Sequence, residues 1–168
     1  MDILGNVVPY IKSEEEKLEE EVAKILGTLE DDHIRPHEMI VSAQCNRVPV
    51  FDGHMEAVSI KLKSRVKVED ITRALQEFSG MPQAEGLPTA PTRPIVVMKE
   101  HDRPQPARDI WVENGMATLV GRIRPCPVQD IKMIVLGHNT VRGAAGAAIL
   151  NAEAFHSLGY LARYRRAN

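Results

Sequence analysis

A chain of 168 residues, 43% hydrophobic and 26% charged, can bury one substantial core, so a single domain over 1–168 is expected. Its formal charge of -2 and pI near 6.3 provide no basic surface for nucleic acid or an anionic membrane, which leaves small polar metabolites as the natural partners. No apolar stretch is long enough to span a bilayer, and residues 1–27 lack the charged-then-apolar order of a signal peptide, so a cytoplasmic protein is expected.

In chain order, Ser13 followed by Glu16 reads as a capping box. It opens a helix over about 14–26, with Leu18, Val22, Ile25 and Leu26 on the inward face and Gly27 at its end. Glu15, Glu19 and Glu20 form the opposite, solvated face. His33 and His37 stand four apart, as metal ligands can, but Pro36 breaks the helix that would align them, and no metal is expected. Residues 39–45 form an apolar run read as a strand ending at a buried Cys45. Cys45 and Cys126 are expected as reduced thiols rather than a disulfide.

The stretch 44–63, QCNRVPVFDGHMEAVSIKLK, carries the chemistry. Val58, Ile60 and Leu62 alternate with Ser59, Lys61 and Lys63, the period of a half-buried strand, while Pro49 and Asp52-Gly53 punctuate a short loop before it. That loop displays Arg47 and His54 at its ends. A guanidinium fork suits a carboxylate or phosphate, and an imidazole exchanges a proton near neutral pH, so the pair suggests acid-base chemistry on an anionic substrate.

Downstream, Val68, Ile71, Leu75 and Phe78 predict a helix packed on the sheet and closed by Gly80. Prolines at 82, 88, 91 and 94 make 81–94 a loop, read as a flap or a subunit contact. Residues 95–98, 116–124 and 131–136 are strand-like, and 144–150 open a helix rich in alanine. The basic tail 163–168 is read as a frayed terminus. The expected fold is α+β, a mixed and largely antiparallel sheet with helices on one face.

Four segments together resemble aspartate-semialdehyde dehydrogenase, closest to its archaeal and fungal branch. They are NVVPYIKSEEEK (6–17), Arg47 to His54 with the following IKLK (60–63), VGRIR (120–124) and GHNTVRGAAGAAILNAE (137–153). The resemblance implies the C-terminal domain of the glyceraldehyde-3-phosphate dehydrogenase-like fold, acting in substrate binding and dimerisation. It implies an NADP-dependent oxidoreductase of lysine, threonine and methionine biosynthesis that converts aspartyl 4-phosphate to aspartate semialdehyde and phosphate, in a homodimer or tetramer. Carried over residue by residue, His54 is the acid and base, Arg47 holds the substrate carboxylate, and Glu14 and Lys17 of the E-E-x-K motif meet its ammonium and phosphate. Asn139 contacts the nicotinamide end of the cofactor, and the helix over 139–162 packs on the nucleotide-binding domain.

The family begins with a glycine-fingerprint dinucleotide domain and a nucleophilic cysteine. No G-x-G-x-x-G follows a strand near the start of this sequence, and no cysteine stands at the nucleophile position, so the likeness is to the C-terminal half and the chain alone is expected to be inactive. Two other readings stand beside this one. A malonyl-CoA reductase shares the fold and the thioester and hydride steps, but its substrate has no amine for Glu14 to meet. A stand-alone assembly module without turnover fits the missing cysteine and glycine loop.

Overall fold

The computed structural model describes residues 3–161, so the tail expected to fray lies outside the described residues. The chain divides into two compact units, Met1–Pro49 and Val50–Asn168. Among the described residues no helix is long and apolar enough to cross a membrane.

In the first unit, helix α1 (Glu14–Ile25) starts without the capping box that Ser13 and Glu16 suggest. Ser13 sits at φ +62°, a left-handed conformation from which its hydroxyl caps no helix N–H. Glu14, Glu15 and Glu16 crowd the first turn instead and complement the positive end of the helix. Beyond the helix, Gly27 donates to the Lys24 carbonyl, and a Cβ there would lie 2.5 Å from the Arg35 oxygen. The chain must pass that closely because β1 (Thr28–Leu29) folds back antiparallel on β2 (Ile34–Arg35).

Two expectations for this unit are corrected. The stripe of Leu18, Val22, Ile25 and Leu26 buries none of its side chains, and Ile25 remains 75% exposed beside Leu29 and Ile34 in a shallow surface groove. Residues 39–45 pair with no strand, and Cys45 is only half-buried. What holds that run is the face of α1 read as merely solvated. Glu15 accepts the Cys45 N–H at 2.7 Å and Glu19 the Ala43 N–H at 2.9 Å, so carboxylates one helical turn apart clamp alternate amides of the facing segment.

The second unit holds the sheet, in the order β3-β6-β5-β4. Strand β3 (His54–Ile60) opens the unit and is followed by α2 (Val68–Gln76), α3 (Met81–Ala84), β4 (Ile95–Val97) and α4 (Pro106–Asp109). Strands β5 (Thr118–Pro125) and β6 (Ile131–Gly137), a π-helical turn (Val141–Ala145) and α5 (Gly146–Ser157) complete it. β6 runs antiparallel to both β3 and β5, whereas β4 and β5 are parallel, the mixed α+β sheet expected. Alternation along β5 and β6 divides the core. Val120, Ile131 and Met133 meet Val68, Ile71 and Leu75 of α2 on one face, and Leu119 and Leu136 meet Ile110 and Ala117 on the other.

Helix α2 ends before Phe78, which is exposed, and Gly80 caps the start of α3 rather than the end of α2 because its N–H donates to Gln83 Oε1 at 3.0 Å. The proline-rich stretch 81–94 is no open flap. Thr89 donates through its N–H and its hydroxyl to Glu153 on α5, Gln83 reaches the Pro91 carbonyl, and Leu87 and Pro91 are buried. Leu62 lies beyond β3, and its N–H, 2.7 Å from the Asp130 carboxylate, holds that group below the usual carboxylate range.

Candidate functional site

Arg47, Glu14 and Lys17 belong to the first unit. Arg47 is held by its backbone: its N–H donates to the Val8 carbonyl at 2.9 Å and its carbonyl accepts the Val8 N–H at 3.1 Å, an isolated antiparallel bridge. The same bridge anchors the segment that leads into α1, where Glu14 is half-buried and Lys17 exposed on the first turn. Glu14 and Lys17 do not pair with each other, and the exposed Arg47 guanidinium forms no ion pair among the described residues. Among the described residues a carboxylate, an ammonium and a guanidinium thus stand without an ion-pair partner.

His54 and Asn139 belong to the second unit, and the structure brings them together. His54 is the first residue of β3, with its Cα opposite that of Gly137 at the end of β6 and its side chain exposed. Gly53 before it adopts φ +103°, and a Cβ there would fall 2.8 Å from Ile110 Cδ1 and 3.1 Å from Leu136 Cδ1. Only glycine fits this turn against the core. The Gly53 N–H donates to Asn139 Oδ1 at 3.0 Å, so the asparagine fixes the residue that delivers His54 to the strand. The Asn139 side-chain NH2 has no partner among the described residues and keeps its two donors.

The thiols stand differently. Backbone N–H groups of Gln129 and Val128 push the Cys126 thiol below its ordinary range, but Cys126 lies in the turn joining β5 to β6, beside Ser59 near the far end of β3. Six residue steps of strand separate the two ends of the β3–β6 ladder, about 20 Å, so this thiol is remote from His54.

Residues 1–142 match the family model described as semialdehyde dehydrogenase, dimerisation domain. The chain belongs to this family. It is 47% identical over 160 residues to the aspartate-semialdehyde dehydrogenase of Methanothermobacter thermautotrophicus, covering 94% of this chain and 46% of that protein. The Saccharomyces cerevisiae enzyme of the same name is 46% identical over 160 residues, 91% of this chain and 44% of its own length. Among solved structures, the Candida albicans enzyme with NADP superposes with a TM-score of 0.85 at 47% identity, over 94% of this chain and 46% of that one. A Vibrio cholerae aspartate semialdehyde dehydrogenase II complexed with ASA gives 0.71 at 25% identity, over 92% and 42% of the two chains. The chain therefore spans a little under half the length of these relatives.

Within this semialdehyde dehydrogenase dimerisation domain, sequence reasoning missed two buried polar groups. His138 is 2% exposed, lies with its ring edge-on to Trp111 at 4.6 Å between centroids, and has a buried Nε2 without a hydrogen-bond partner among the described residues. Its signal was present, because Leu136 and His138 continue the alternation of β6 one step past the strand. Asp109, 1% exposed, accepts from Arg103 through both its oxygens and from the Gln105 N–H at 2.6 Å. No periodicity points to that pairing, which closes a loop between residues six apart.

Proposed function

We propose that this chain is the substrate-binding and dimerisation half of an NADP-dependent aspartate-semialdehyde dehydrogenase, occupying residues 1–168 as the C-terminal domain. The observation that carries this reading is the match of residues 1–142 to the dimerisation-domain family, joined to relatives that bear that enzyme's name. The reaction is the reductive dephosphorylation of aspartyl 4-phosphate to aspartate semialdehyde and phosphate in the cytoplasm. The nucleophilic cysteine and the dinucleotide fold belong, on this reading, to the other half of the enzyme, and this half assembles as a homodimer or tetramer.

Each available side chain has a physical task. Arg47 offers two parallel N–H donors to the α-carboxylate, fixing the acyl group for attack. Glu14 accepts from the substrate ammonium, and Lys17, at the N-terminal turn of α1, offsets the charge of the departing phosphate. His54, exposed and placed by the Gly53–Asn139 hydrogen bond, takes the proton of the attacking thiol and then gives a proton to, and takes it back from, the oxygen that develops charge at the reacting carbon. NADPH, when bound, would supply the hydride and leave as NADP+. With its oxygen committed to Gly53, Asn139 would hold the nicotinamide through its NH2, which can donate to a carboxamide oxygen.

Glu14 separates an amino-acid substrate from a malonyl thioester, which has a carboxylate but no amine. In the enzyme formed by both halves, Glu14→Gln should lower kcat/KM for aspartyl phosphate about 10-fold or more, as expected for a hydrogen bond to a charged group, and leave an analogue without the amine within a few-fold. Steady-state kinetics on the two substrates make the comparison. Equal losses on both would remove the assignment of the amine to Glu14, and with it the main argument against the malonyl-CoA reaction.

A further inference from the structure

Residue 138 carries a cost that packing alone does not explain. The Thr140 N–H lies 3.4 Å from His138 Nδ1 and the Thr140 hydroxyl 3.3 Å from it. A backbone N–H can only donate, so Nδ1 is the acceptor and the ring proton of the neutral imidazole sits on Nε2. That N–H is buried without a partner among the described residues, a penalty that an apolar side chain of similar size would avoid. The ring also dictates its surroundings: Gly115, at φ +77°, passes so close that a Cβ would lie 2.9 Å from His138 Cδ2.

The contacts of His138 all fix one thing, the exit of β6. Its ring rests on Trp111, its Nδ1 holds Thr140, and its carbonyl accepts the Gly143 N–H at 2.9 Å at the start of the π-helical turn. Asn139 lies between these anchors and reaches back to the Gly53 N–H. We propose that His138 is a positioning residue: by locking the exit of β6 it holds Asn139 against Gly53, and through that clasp it sets where His54 enters β3. The catalytic consequence rests on the reading of His54 as the acid-base group; the structural consequence does not.

Amide hydrogen exchange on the 168-residue chain reads the clasp directly. His138→Gln, which lacks an acceptor at the Nδ1 position, should speed exchange of the Gly53 amide at least tenfold while the Val120 and Met133 amides stay within threefold. His138→Asn, which retains that acceptor, should raise it less. If His138→Gln does not fold, Trp111→Leu removes the support of the ring and serves as the same test. An unchanged Gly53 rate, or an equal rise at Gly53, Val120 and Met133, overturns the proposal. In the enzyme formed by both halves, His138→Gln should lower kcat about tenfold with KM within twofold, and should add no further loss to His54→Asn. A Gly53 rate that responds while His54→Asn leaves turnover intact upholds the clasp and defeats the acid-base reading instead.

Discussion

His54→Asn should lower turnover of the two-half enzyme by about 100-fold or more, the usual contribution of a positioned acid-base group, while changing KM far less. The structure makes this a clean substitution. His54 enters the sheet through its backbone, opposite Gly137, and its exposed imidazole adds nothing to either core cluster, so asparagine can occupy the same strand position. What asparagine lacks is an imidazole nitrogen that can take up and release a proton. The loss should therefore fall on proton transfer to and from the reacting atoms. Circular dichroism and thermal unfolding close to those of the parent, together with the loss in kcat, would support the assignment. A loss confined to KM would make His54 a binding residue.

Arg47→Lys should cost about 1.5–3 kcal/mol in kcat/KM, roughly 10- to 150-fold, the range for a hydrogen bond to a charged group. The two residues share a charge but not a geometry, since the ammonium is a point donor and the guanidinium a planar fork that meets both oxygens of a carboxylate. Position 47 is set by the backbone bridge to Val8, which does not depend on the side chain. Lysine should thus leave the fold intact and fail only at the carboxylate. Unchanged kinetic constants for Arg47→Lys would remove Arg47 from the site.

The parts of the fold that could be read in advance are those where a single periodicity governs burial. Helix α2 turns its repeating apolar residues toward one core cluster, and strands β4, β5 and β6 divide theirs by alternation between the two, so their positions follow from spacing. Where long-range polar contacts decide the structure, spacing misleads. The run 39–45 looks like a strand because it is apolar, yet its Cys45 and Ala43 amides donate to Glu15 and Glu19, 30 and 24 residues away, and not to a neighbouring strand. Ser13 has the composition of a helix cap, but its left-handed backbone turns the hydroxyl away from that role.

The candidate site divides in the same way. Arg47 and His54 are legible because turn residues frame them, and Glu14, Lys17 and Asn139 because family motifs carry them. The Asn139–Gly53 hydrogen bond joins residues 86 apart, and neither composition nor spacing announces it. His138, between a glycine and an asparagine, has the local composition of a turn. Only its place on the inward side of β6, two residues after the fully buried Leu136, marks it as part of the interior.

The most direct test is an NADPH oxidation assay with aspartyl phosphate, run on the purified 168-residue chain alone and again after mixing with a separately produced nucleotide-binding half that carries the cysteine. Hydride transfer needs a bound nicotinamide and an acyl group held on a thiol, and the account assigns both to the other half. It therefore predicts a folded, self-associating chain with no turnover by itself, and turnover that appears on mixing and is abolished when His54→Asn replaces the parent. Turnover by the chain alone would contradict the account and make Cys45 the first residue to reconsider as the nucleophile.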